Sequence, residues 1–175
     1  MRTRLLVTAA LAVTALAVPA AALAGDSPAA TPAAAKAQTV VFTVDLVSTG
    51  TTLHTLPGDI TYGWNHLVGT TRWGNKAASV EFLGSVDYTS GTGPFGGFVT
   101  FTRSDGTQLA VNATGWATSP ADQSGTADAT FAGSLQVIGG SGAYSGAQGS
   151  GRMTGFRKAA LGSPVTLTFS ITVQK

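Results

Sequence analysis

Residues 135–156 read LQVIGGSGAYSGAQGSGRMTGF, and the fold turns on how this stretch is parsed. An apolar run (Leu135, Val137, Ile138) stops at Gly139-Gly140-Ser141-Gly142. A short Ala143–Ala147 piece follows, and then a second run punctuated by Gly149, Gly151 and Gly155. The pattern predicts a strand, a sharp glycine corner with one turn at most, and a second strand. Gly139, Gly140 and Gly142 allow the positive φ that a tight corner demands and side chains resist. Gly149, Gly151 and Gly155 are two or four residues apart, so in a strand they share one face. A bare face lets a sheet bend sharply or lets another backbone approach, as in the wall of a small barrel.

The rest of the chain carries the same period of two. Val40, Phe42, Val44 and Leu46 alternate with Val41, Thr43, Asp45 and Val47, giving a first strand. Residues 48–59, with Gly50, Pro57 and Gly58, read as a loop with room for a short extended piece. Further strands are expected at 60–71, 77–88, 95–103, 107–116, 126–138 and 148–157. Between the fourth and fifth, Ser104-Asp105-Gly106 is a strong hairpin signal. The last strand is the cleanest: Val165, Leu167, Phe169, Ile171 and Val173 alternate with polar residues. About eight strands joined by short turns, with no helical run among them, suit an antiparallel barrel or sandwich. Closure, which removes exposed edges, favours the barrel.

The Gly139–Tyr144 segment, Gly-Gly-Ser-Gly-Ala-Tyr, and the Gly146-Ala147 and glycine strand behind it resemble the hinge of the allene oxide cyclase and dirigent family of small β-barrels. With the order of strands, this resemblance implies an all-β fold, an eight-stranded antiparallel β-barrel of the allene oxide cyclase/dirigent type. It also implies a lumen able to hold an apolar small molecule. It carries over no site residue, because it is confined to the hinge and the strand order, and fold alone is a weak guide to activity.

Ahead of the barrel, residues 1–24 have the order of a secretory signal peptide. Arg2 and Arg4 form a basic start, residues 5–18 an apolar run, and Ala22-Leu23-Ala24 a small-x-small cleavage site. Residues 25–38, rich in Ala and Pro, read as a flexible spacer, and 39–175 as the barrel domain. A secreted, extracellular protein is expected, with no integral membrane segment after cleavage. Removing Arg2 and Arg4 leaves 8 basic against 8 acidic residues. So neutral a chain gives no electrostatic case for nucleic acid. There is no cysteine, hence no disulfide, thiol nucleophile or thiolate metal site.

The chemistry-bearing residues are few. The glycine corner is followed by a strand and no P-loop lysine, so it is not a phosphate cradle. His54 and His66, the only histidines, have no carboxylate at ligand spacing, so no metal site and no cofactor is expected. Glu81 and Asp87 ride with Ser79 and Ser85 opposite Val80, Phe82 and Val86, as on a solvated outer face. No Gly-x-Ser-x-Gly elbow occurs, and the catalytic residues, if any, are unknown. Tyr62, Trp64, His66 and Val68 share a strand face whose reverse is Thr61, Gly63 and Asn65. The aromatic side is therefore expected to point inward as a ligand-binding wall. The plainer alternative for His66 is a strand-end histidine bonded to a carbonyl or water. Arg103, in phase with Val99 and Phe101, is placed at a barrel rim, where it could orient a carboxylate, or simply beside its turn. Three functions stay open: a secreted barrel binding a small apolar molecule, a cyclase or isomerase steering an apolar substrate, and a structural or adhesive module with a filled lumen. A homo-oligomer is also left open.

Overall fold

The computed structural model describes residues 36–120, 128–158 and 163–175. The expected signal peptide, most of the spacer and the first residues of the sixth expected strand lie outside them. Eight strands form a closed barrel in sequence order, every neighbouring pair antiparallel. They are β1 (Gln38–Leu56), β2 (Ile60–Trp73), β3 (Lys76–Thr89), β4 (Gly93–Arg103), β5 (Gln108–Thr118), β6 (Ala129–Gly140), β7 (Gln148–Arg157) and β8 (Val165–Gln174). A 3₁₀ turn, Gly142–Tyr144, links β6 to β7. The sheet closes where Gln38–Leu46 of β1 pairs with Val165–Val173 of β8.

The inward face follows the period-two pattern. Phe42 and Phe101 stack at 4.7 Å, and Phe101 meets Phe169 edge-on at 5.2 Å, so three aromatic rings fill the middle of the lumen. Nearer the other end, glycines make room for Phe95 and Met153: Gly115 and Gly133 pair across β5 and β6, beside Phe95 on one side and Met153 on the other. Gly149, Gly151 and Gly155 act as the bare face required. A Cβ at any of them would collide with a β8 carbonyl oxygen, that of Thr172, Ser170 or Thr166 respectively. At the corner only Gly142 (φ 56) and Gly146 (φ 71) take positive φ. Gly140 is needed for closeness instead, since a Cβ there would sit 2.6 Å from the Tyr144 carbonyl.

The 3₁₀ turn serves as a stopper. Tyr144 is buried against Trp73 (ring centroids 4.8 Å apart), Trp73 meets Phe42 edge-on at 5.2 Å, and the Lys175 ammonium lies 4.1 Å over the Tyr144 ring. That end of the barrel is shut.

One expectation is corrected here. Residues 48–56 are strand, not loop: β1 runs through a bulge between Ser48 and Gly50 and pairs with β2 as far as Leu56↔Ile60. The turn is Pro57-Gly58-Asp59, with Gly58 at φ 88 and Asp59 at φ 57. A bulge reverses the face that alternation assigns, so residues 49–56 look aperiodic when read in phase with 40–46. Beyond Leu46 this arm passes the start of β8 and stands above the other end of the barrel.

Candidate functional site

At the end opposite the stopper the lumen holds a cavity of about 80 Å³. Its walls are apolar, from Leu67, Phe82, Val86, Phe95, Phe131, Met153, Val165 and Leu167. Leu53, on the arm of β1, lies over it. The polar groups in the lining are Thr61, Asn65, Ser85, Tyr88 and Arg157. Asn65 Oδ1 accepts a 2.6 Å hydrogen bond from Ser48 Oγ, which ties the arm to the wall.

Tyr88 and Arg157 matter most. Each is 7% exposed. Tyr88 ends the inward row of β3 that contains Ala78, Val80 and Phe82. Arg157 ends the inward row of β7, after Gly151, Met153 and Gly155. Burial pushes the Tyr88 phenol up to about 12, and the positive charge of Arg157 only partly offsets it. Tyr88 therefore stays protonated at neutral pH and acts as a hydrogen-bond donor, not a base. Burial also pulls the Arg157 guanidinium down from its ordinary value, and the Tyr88 interaction opposes this. It remains a cation, as arginine does in proteins. Arg157 is engaged by the surrounding protein, and no buried side-chain nitrogen or oxygen among the described residues lacks a partner. The result is a small apolar chamber with a fixed cation and a fixed phenol donor. Such a pairing has the chemistry to orient an electron-rich group.

The residues expected to line the lumen are elsewhere. Tyr62 and Trp64 are on the outer wall, 41% and 55% exposed. Tyr62 stacks on His54 at 5.2 Å. His66 faces outward too: its Nε2 is 2.8 Å from Glu81 Oε1 and its Nδ1 3.2 Å from Thr49 Oγ1. The reverse face, Thr61, Asn65 and Leu67, lines the cavity. Two facts determine this phase. Trp73, on the same strand, is buried against Phe42 and anchors the odd-numbered face inside. Gly63 (φ 138) lies so close to the Thr52 carbonyl of β1 that no side chain fits there. Polarity misled because β2 leaves the packed core at its upper half, where the inner face meets a cavity mouth.

Arg103 is at a rim, but at the shut end. Its guanidinium grips Asp105 with two hydrogen bonds (2.9 and 2.7 Å), bonds Thr107 Oγ1 at 3.2 Å, and lies 5.5 Å over Trp73. Asp105 also meets Lys76 at 2.7 Å. The hydrogen bonds from Arg103 and Lys76 hold the Asp105 carboxyl well below its usual range. This is a clamp on the β4–β5 hairpin, remote from the cavity. Glu81 and Asp87 are on the outer face as expected, Glu81 engaged with His66. No group of three or more metal-ligating side chains occurs among the described residues.

Sequence reasoning passed over Tyr88 and Arg157 as site residues. A signal existed: Arg157 is in phase with Met153, a charged residue on an inward row. The glycines between them left that row unanchored.

No family model matches the chain, and no curated protein matches it. Among solved structures, the chain is similar to the pterocarpan synthase dirigent protein GePTS1, with 16% identity, 82% of this chain and 87% of that chain covered, and a TM-score of 0.43. No residue role is transferred from that protein. The eight-stranded closed barrel stands on the strand pairing of this chain itself.

Proposed function

We propose that the barrel binds a small, mostly apolar molecule at its open end, with an anionic or hydrogen-bond-accepting head directed at Arg157 and Tyr88. The observation that carries this reading is an apolar cavity into which a buried cation and a buried phenol converge, in a barrel whose other end is packed solid. A lumen filled only by packing would leave no apolar chamber beside these two polar groups. This favours ligand binding over the structural module, although Tyr62, Trp64 and His66 take no part in the lumen. The cavity volume, about 80 Å³, is roughly half the ~150 Å³ that holds a benzene. It therefore suits the head of a ligand, with the tail emerging beneath Leu53 or displacing it. Steering of a cyclisation or isomerisation would use the same chamber by holding one conformer. The N-terminal basic–apolar–small order supports export, which N-terminal sequencing of secreted material tests.

The deciding experiment is native mass spectrometry of the purified full chain, before and after denaturing extraction. Retained small molecule in the wild type, lost in Arg157→Gln and reduced in Tyr88→Phe, is expected. A ligand-free wild type that also fails to take up an aromatic carboxylate, followed by isothermal titration, refutes the reading.

A further inference from the structure

The aromatic face of β2 builds a second place of interest on the outer wall. A shallow groove of about 300 Å³ crosses the paired strands β1, β2 and β3, formed by Gly50, Thr51, Thr52, Trp64, Asn65, His66 and Leu83. Trp64 is its platform, an indole more than half exposed. Two residues earlier on the same face, about 6.6 Å along the strand, Tyr62 is held by its stack on His54. Two residues later His66 is fixed at both ring nitrogens, by Thr49 and by Glu81. That chain also fixes the Glu81 carboxylate, half of whose side chain remains exposed.

From this juxtaposition we propose that the groove is a carbohydrate-binding site, taking a neutral glycan chain laid along β2 across Tyr62 and Trp64. The site combines an indole with the hydroxyl, amide and imidazole groups of its lining, with the Glu81 carboxylate held beside it by His66. A hydrocarbon would cover the rings but strip water from those polar groups without replacing it, which is unfavourable. An anion would meet the Glu81 carboxylate. A pyranose offers what the groove matches: a C–H face to stack on an aromatic ring, and hydroxyls around its rim that both donate and accept. Two rings in line on one strand suit successive sugar units. The site is distinct from the lumen, whose cavity is lined by the reverse face of the same strand, the two sharing only Asn65.

The test is titration of the full chain with cellohexaose, xylohexaose, chitohexaose and laminarihexaose, followed by tryptophan fluorescence and calorimetry. At least one is expected to bind at millimolar concentration or below. Trp64→Ala should weaken that binding by roughly tenfold or more, and Trp64→Phe less, because a ring is retained. Glu81→Gln should weaken it as well, through the loss of a charged acceptor. Trp64 is exposed, so an unchanged melting temperature is expected and checks the fold. Absence of binding by all four sugars overturns the proposal. So does sugar binding indifferent to Trp64→Ala, or a Trp64→Ala variant whose only change is dissociation of a dimer in sedimentation velocity, which would make the face a protein contact. Loss of the lumen ligand alone leaves this result unmoved.

Discussion

Substitution at Gly151 tests the reason for the glycine strand. An ideal Cβ there would be 2.9 Å from Ile171 Cα and 3.1 Å from the Ser170 carbonyl carbon, with the Ser170 oxygen nearer still. Ordinary contact begins at 3.4 Å, and all three obstacles are backbone, which no rotamer change can remove. Strands β7 and β8 would have to part by something on the order of 1 Å, straining the pairs Gly151↔Ile171 and Arg152↔Ser170. Overpacking of this kind costs about 1–3 kcal/mol, and a weakened ladder hydrogen bond adds about 1. Gly151→Ala should thus destabilise by about 2–4 kcal/mol, lowering Tm by roughly 10 °C. Gly151→Val should cost only modestly more, because the collision is already complete at Cβ. Gly139→Ala is the control: a Cβ there has no heavy atom within 4 Å, so its effect should stay within about 0.5 kcal/mol. Urea unfolding and thermal melts followed by circular dichroism measure all three. An Ala variant as stable as wild type refutes the close-approach argument. A cost confined to Val would assign the glycine to lumen volume instead.

Three other outcomes are expected. Tyr88 is protonated more tightly in the folded state, so the stability it contributes is complete below about pH 10 and is lost as pH rises toward about 12; the loss should reach about 2–3 kcal/mol and be absent in Tyr88→Phe, as alkaline urea titrations would show. Asp105 is held low by Arg103 and Lys76, so its contribution is present above the ordinary carboxylate pKa and fades as pH falls; Asp105→Asn should flatten the acid limb of the Tm–pH curve without altering ligand retention. His66→Phe should leave lumen ligand retention unchanged in native mass spectrometry, since His66 is outside; a lost ligand would return β2 to the opposite phase.

Much of this protein was legible in its sequence. Strict alternation in residues 40–46 and 165–173 made those strands, and the glycine phase at 149, 151 and 155 marked where β7 and β8 come together. Both are local signals, because the two faces of a strand are written in consecutive residues. The site was less legible. Tyr88 shares its phase with Val80, Phe82 and Val86, yet nothing near it in sequence names Arg157, which lines the same cavity only when β3 and β7 face each other across a closed barrel.

The sequence by itself determined that the chain is all-β, that about eight strands alternate, and that the Leu135–Phe156 stretch turns back on itself at a glycine corner. Those properties depend on backbone freedom and on periodicity within one strand. Only the tertiary structure decided which side of β2 is inside. Alternation specifies two faces, and their assignment to lumen or solvent depends on neighbours far along the chain. For β2 these were Trp73 packed on Phe42 and Gly63 pressed against Thr52. Closure also decided that one end is stoppered by Tyr144 while the other keeps a chamber around Arg157. That difference arises from how eight rows of side chains of unequal size meet in one lumen.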